Sequence, residues 1–140
     1  MLTQFGIGTL VIVATILFHV LGLVLLASTL QRIGAPDNAD HRWRSTSILL
    51  SVAVLGIVGI HTVEAWVWAA LFLLLGEFAT LPEAVYFSVV TSTTLGYGDL
   101  TLSDQWKILG TFEAMGGLIL FGASTAFLIR VMERLLLGQR

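Results

Sequence analysis

From Phe5 to Leu30 the chain contains no Lys, Arg, Asp or Glu. A helix needs about 20 apolar residues to cross a bilayer, so this stretch spans one with room to tilt. It is not read as a signal peptide: the apolar run is too long, and Met1 to Gln4 lack the expected positive charge. Two further long apolar stretches follow, one from about Ser47 and one from about Ser103. Charged residues make up 11% of the 140 and hydrophobic types 56%, which is too apolar for a soluble domain of this size. The fold expected is all-α and membrane-embedded. With no cysteine, neither a disulfide nor a thiolate metal site is available. A net charge of −2 gives no argument for a nucleic-acid partner, and none is expected.

A polar break, Gln31 to Ser45, separates the first two spans. Pro36 cannot continue a helix and disfavours one just before it, so the first helix is expected to end at Gly34-Ala35-Pro36-Asp37. Arg42, Trp43 and Arg44 read as an interfacial anchor for the second span. A site for anionic lipid headgroups is the rival reading and calls for more basic residues than these. The chain then divides into an amino-terminal span with its linker, 1–46, and a second unit, 47–140. Trp66 and Trp68 suggest that the second span (47–76) nears an interface at its far end. His19 on the first span reads as an interfacial or packing histidine rather than a ligand. Gly76 to Leu81 is a short loop.

Pro82 suits the first turn of a helix, where its missing N–H is not needed, and Glu83 suits the positive end of the dipole. The helix expected over 82–93 is too short to cross. It leads into Thr93-Thr94-Leu95-Gly96-Tyr97-Gly98-Asp99, too rich in glycine and hydroxyl side chains to be a span. Backbone this irregular survives at membrane depth only when protein buries it or it lines a wet cavity, so the pair reads as a re-entrant helix and loop. A row of carbonyls can point one way only if alternate residues leave ordinary dihedral space, which Gly96 and Gly98 do at little steric cost. Such a row replaces the water around a dehydrated cation.

This stretch resembles the selectivity filter of potassium channels, usually Thr-Val-Gly-Tyr-Gly-Asp, with Leu95 in the valine place. The resemblance covers about Ile48 to Leu137: outer helix 47–76, pore helix 82–93, filter 94–99 and inner helix 103–137. The first span lies outside this shared module and brings the expected transmembrane helices to three; the resemblance implies four chains around one pore, hence a homotetramer. It implies K⁺ ligands at the carbonyls of Thr94, Leu95, Gly96 and Tyr97 and at the Thr94 hydroxyl, with Gly98 and Asp99 shaping the outer mouth; Thr93 is a further candidate to support the filter. Trp106 matches an aromatic found shortly after the filter. Gly117 matches the hinge of the inner helix, although paired Gly116 and Gly117 equally suit a small-residue packing face. Ile119, Gly122 or Ala123, Ala126 and Arg130 share a helix face and are the cavity-lining candidates. Val90 stands where many relatives carry an acid behind the filter, which puts that carboxylate clamp in doubt.

Charge sets the expected topology. Arg32, Arg42, Arg44, Arg130, Arg134 and Arg140 belong in the cytoplasm, whereas Glu77 to Asp104 has no Lys or Arg and Lys107 sits alone near the outer end. The amino terminus and filter are then outside and the carboxyl terminus inside, in a multi-pass plasma-membrane protein. Ser103 is expected to cap the last helix. Ionisable side chains inside a membrane are costly and ask for a role. His61, Glu64 and Glu113 are expected level with the pore helix, as candidates to brace the filter through Thr91 or Ser92 in place of the missing acid; satisfied structural acids are the plain alternative. His61-x-x-Glu64 with Glu113 does not make a closed metal site, so no enzyme is expected, and K⁺ is the permeant ion rather than a cofactor. A weakly selective cation channel and a non-conducting accessory subunit remain as alternatives. No arginine-repeat voltage sensor is present.

Overall fold

The computed structural model describes residues 2–33 and 42–136. The expected Pro36 stop and the Arg42-Trp43 side chains lie outside what it describes, as does the expected end of the inner helix at Leu137. Four helices occur among the described residues: α1 (Leu2–Ile33), α2 (Arg42–Leu74), α3 (Leu81–Ser92) and α4 (Lys107–Leu136). Three of them, α1, α2 and α4, are long and apolar enough to cross a membrane. α3, at 12 residues, rises only about 18 Å and is not.

α2 starts five residues before the expected Ser47, since nothing in Arg42 to Thr46 breaks a helix, and it stops two residues early at Leu74. The stop is a Schellman turn: Gly76 takes φ +75°, its N–H reaches the Leu73 carbonyl, and the Glu77 N–H reaches that of Phe72. Thr80 then caps α3 in a capping box with Glu83, and Pro82 occupies the first turn. α4 begins four residues later than the sequence suggested. Ser103 is not a side-chain cap, because its hydroxyl and N–H both donate to the Glu77 carboxylate, at 2.8 and 2.6 Å. Its carbonyl instead accepts from the Trp106 and Lys107 N–H groups in the turn that leads into the helix.

α1 runs parallel to α4 at a nearly constant offset. Gln4 meets Ile108, Gly8 meets Phe112, Ile12 meets Gly116, and His19 meets Ser124. Against α2 it runs antiparallel, His19 meeting Glu64, Gly22 meeting Ile60, and Leu26 meeting Gly56. These glycines mark close approach, with a side chain of the facing helix where a Cβ would stand. Lipid tails are as apolar as leucine, so small residues that let helices approach hold such bundles together by packing. The Gln4 side-chain carbonyl, itself buried, accepts the Ile108 N–H at 3.2 Å. It thereby satisfies a donor that the first turn of α4 leaves free.

α3 sits between α2 and α4. Phe87 of α3 meets Phe72 edge-on at 5.2 Å and lies 5.1 Å from Phe78. With Trp68 and Leu109 these form the buried core at the α3 level, and Ile7, Val11 and Ile12 of α1 cover it. Trp68 is therefore a core residue, unlike the interfacial expectation, while Trp66 is exposed. Large apolar side chains such as Leu10, Leu17, Leu55 and Val58 face outward, which a soluble protein would avoid and a bilayer accommodates.

Candidate functional site: a helix-suspended loop and a buried polar cluster

The end of α3 suspends the loop that follows. The Val90 carbonyl accepts from both the Leu95 and Gly96 N–H groups, at 3.0 and 3.2 Å. Thr94 N–H reaches the Thr91 carbonyl, and the Thr93 hydroxyl reaches the Val89 carbonyl at 2.6 Å. Val90 thus contributes through its backbone what its apolar side chain cannot. Beyond it, Thr94, Gly96 and Gly98 take φ of 59°, 56° and 75°, while Leu95 and Tyr97 do not enter the positive range. Alternation of this kind turns successive carbonyls towards one side. Thr94 adopts the left-handed region without being glycine, a strain on the order of 1–2 kcal/mol that the hydrogen bonds around it maintain.

At the other end of the loop, the Tyr86 hydroxyl of α3 donates to Asp99 at 2.8 Å. That bond raises the Tyr86 pKa above its usual 10.0, since ionising the phenol would break it. Thr93 to Asp99 are all exposed in the single chain, with Leu95 and Tyr97 among the most exposed large side chains. Beneath them, Ser92, Thr93, Thr94, Leu118 and Phe121 line a pocket of about 180 Å³, and the carbonyl end of α3 carries partial negative charge there.

On α4 the buried stripe is Leu109, Glu113, Gly116, Leu120 and Ser124. Ile119, Gly122, Ala126 and Arg130 lie off that stripe and are exposed, Arg130 paired with Glu133 at 2.8 Å. Gly117 lies against the end of α3: a Cβ there would stand 2.1 Å from the Ser92 carbonyl oxygen, and the three nearest atoms are all main chain of Ser92. Trp106 packs on the aromatic core.

The membrane acids separate into two settings. Glu113, 1% exposed, lies beside Ser88 in the middle of α3 and makes no hydrogen bond to Thr91 or Ser92. Neither carboxylate oxygen nor the Ser88 hydroxyl completes a hydrogen bond of ordinary geometry. Glu64 and His61 are elsewhere. Glu64 contacts His19 Nδ1 at 2.8 Å through Oε1 and His61 Nδ1 at 3.0 Å through Oε2. Ser124 Oγ closes the loop at 3.2 Å to His19 Nε2 and 3.0 Å to His61 Nε2. Ser124 is two turns beyond Gly117, so this cluster lies about 10 Å further along α4 than the end of α3. That is deeper than the pore-helix level expected for Glu64 and His61. At that depth α1 supplies His19 and α4 supplies Ser124 as their partners.

Four contacts need four hydrogens. Ser124 supplies one, and the other three are shared by the two imidazoles and the carboxyl, which leaves the cluster without net charge. Neutrality is what a membrane interior favours. The His61 ring also stacks on Phe121, centroids 4.0 Å apart, and Phe121 lines the pocket beneath the loop.

Sequence reasoning did not identify Tyr86, Gln4, Glu77 or Ser124, and it set His19 aside. A histidine in an otherwise uncharged span was the available signal for the last, since such a group asks for a partner in the membrane.

The sequence profile of one family, described as ion channel, matches residues 47–134, more than half of the chain, from α2 through α4. Comparison with curated proteins and with solved structures gives no match.

Proposed function

The chain belongs to the ion channel family, and on that premise we propose that it is the subunit of a homotetrameric, potassium-selective channel. The observation that carries the reading is the alternation of positive φ at Thr94, Gly96 and Gly98 within Thr-Leu-Gly-Tyr-Gly-Asp. Backbone carbonyls of residues 94 to 97, four chains round, would then replace the hydration shell of K⁺. The exposure of Leu95 and Tyr97 supports the tetramer, because a lone filter strand has no other cover. Gly98 and Asp99 form the outer mouth, which Tyr86 braces. Ile119, Gly122 and Ala126 face the cavity, with Arg130 towards its inner end. The protein acts by passive conduction and not as an enzyme, in the plasma membrane with its amino terminus outside.

A weakly selective cation channel is the second reading, favoured by Val90, which leaves the filter without a carboxylate behind it. Purified protein in liposomes under a K⁺ gradient tests both. Selective K⁺ flux that Na⁺ cannot replace supports the proposal; equal flux of the two ions supports the second reading. No flux of either ion from correctly assembled protein refutes conduction.

A further inference from the structure

His19, His61 and Glu64 come from two different helices, and their ligand atoms all lie within 4.8 Å of one another. We propose that they form a binding site for a borderline transition-metal ion of the Zn²⁺ class, which joins α1 to the channel module within the membrane. Nothing in the matched family region accounts for His19, since α1 lies outside it.

The donor set is two imidazoles and one carboxylate. Such a set suits Zn²⁺ and its neighbours and disfavours Mg²⁺ and Ca²⁺, which want oxygen ligands. Bonds of about 2.0–2.1 Å place tetrahedral ligand atoms about 3.3 Å apart. The contacts from Glu64 Oε1 to His19 Nδ1, 2.8 Å, and from Oε2 to His61 Nδ1, 3.0 Å, are both somewhat shorter than that value. The three ligand atoms lie within 4.8 Å of one another, so side-chain rotations that draw both Nδ1 atoms and one Glu64 oxygen round a common centre seat an ion in place of the hydrogens between them.

The outer contacts also fit. With both Nδ1 atoms on the ion, each imidazole keeps a hydrogen on Nε2 and needs an acceptor. Ser124 Oγ, within 3.0 and 3.2 Å of the two Nε2 atoms, has two lone pairs and can accept from both. A shared acceptor of this kind fixes ring orientation and tautomer, as outer-shell partners of metal-bound histidines do. One carboxylate balances half the charge of the ion, and an anionic fourth ligand, hydroxide or chloride, balances the rest. His61 is the most open of the three, its side chain 13% exposed, and marks the side of entry. The site lies one side chain, Phe121, away from the pocket beneath the filter.

The test is titration of the purified full chain in detergent with ZnCl₂, followed by desalting and metal analysis. One Zn²⁺ per chain is expected, with a thermal shift that grows with Zn²⁺ and that MgCl₂ does not reproduce. His19→Gln, His61→Gln and Glu64→Gln should each abolish it, and Ser124→Ala should weaken it about 10- to 100-fold. His41→Gln, at the remaining histidine of the sequence, should leave it intact. No stoichiometric binding by the wild type overturns the proposal, as does binding that survives Glu64→Gln or disappears in His41→Gln. Where a variant fails to fold, CoCl₂ with the wild type decides. Intense tetrahedral visible bands are expected, and only the weak bands of six-coordinate Co²⁺ would refute the site. Neither readout requires conduction, so failure here leaves the channel proposal untouched.

Discussion

Replacing Gly117 by alanine tests how α4 meets the end of α3. The new Cβ would stand 2.1 Å from the Ser92 carbonyl oxygen, 2.8 Å from its carbon and 2.9 Å from its Cα. Ordinary carbon contacts are about 3.5–4.0 Å, so the overlap exceeds an ångström. No side chain can swing away, because all three opposing atoms are main chain; α3 or α4 has to move. Overpacking of a tight core costs about 1–3 kcal/mol, and a backbone clash belongs at the upper end, in every subunit. The displaced end of α3 is also the end from which Val90 holds the Leu95 and Gly96 amides, so the proposed filter moves with it.

Gly117→Ala should therefore lower thermal stability and the tetramer fraction and also degrade K⁺/Na⁺ selectivity. Gly122→Ala is the control for thermal stability alone, since nothing in the chain lies within 4 Å of its Cβ position. Gly116→Ala should fall between, because its nearest neighbour, Ile12 Cγ1 at 3.1 Å, is a side-chain atom that need shift by only a few tenths of an ångström. Thermal unfolding in detergent ranks the three, and ion selectivity follows in liposomes. A Gly117→Ala protein of normal stability and selectivity, changed only in open probability, would refute the packing argument and make Gly117 a hinge.

Other substitutions probe single contacts. Gln4→Leu removes the acceptor for the Ile108 N–H and should cost about 1 kcal/mol of thermal stability; an unchanged melting temperature would mean that water serves equally well. Tyr86→Phe should loosen the outer mouth and reduce selectivity, with no loss of assembly. Because Asp99 raises the Tyr86 pKa, the wild-type contact is fully present below about pH 10 and is lost as pH rises through the raised value. Selectivity measured from about pH 8 to 12 should fall at the alkaline end in the wild type and show no such step in Tyr86→Phe. Single cysteines at Thr3 and Asp37 should label from outside and from the cytoplasm respectively, and labelling of both from one side would refute the proposed orientation.

The spans were legible because a bilayer imposes a length and an absence of charge that few other structures share. α3 was legible because Pro82 and Glu83 mark a helix start and because 12 residues cannot cross. What local pattern could not supply was the pairing of helices. Ser124 and His19 meet only because α1 lies parallel to α4 in one register, and no spacing within either helix encodes that register. Ser103 shows the same limit: a local capping rule picks it, but Glu77, 26 residues earlier, takes both its hydroxyl and its N–H. Trp68 looked interfacial by type, yet the aromatic rings of α2 and α3 enclose it.

Potassium selectivity through the backbone at Gly96 is the central claim, and the reversal potential under bi-ionic K⁺/Na⁺ conditions measures it most directly. At Gly96 φ is +56°, and no atom lies within 4 Å of its Cβ position. Alanine there meets no neighbour within the chain and opposes only the backbone conformation, by on the order of 1–2 kcal/mol per subunit. Wild-type protein should reverse near the K⁺ equilibrium potential. Gly96→Ala should still assemble but should lose conduction or shift its reversal towards zero. A Gly96→Ala channel with the K⁺/Na⁺ permeability ratio of the wild type would contradict the account.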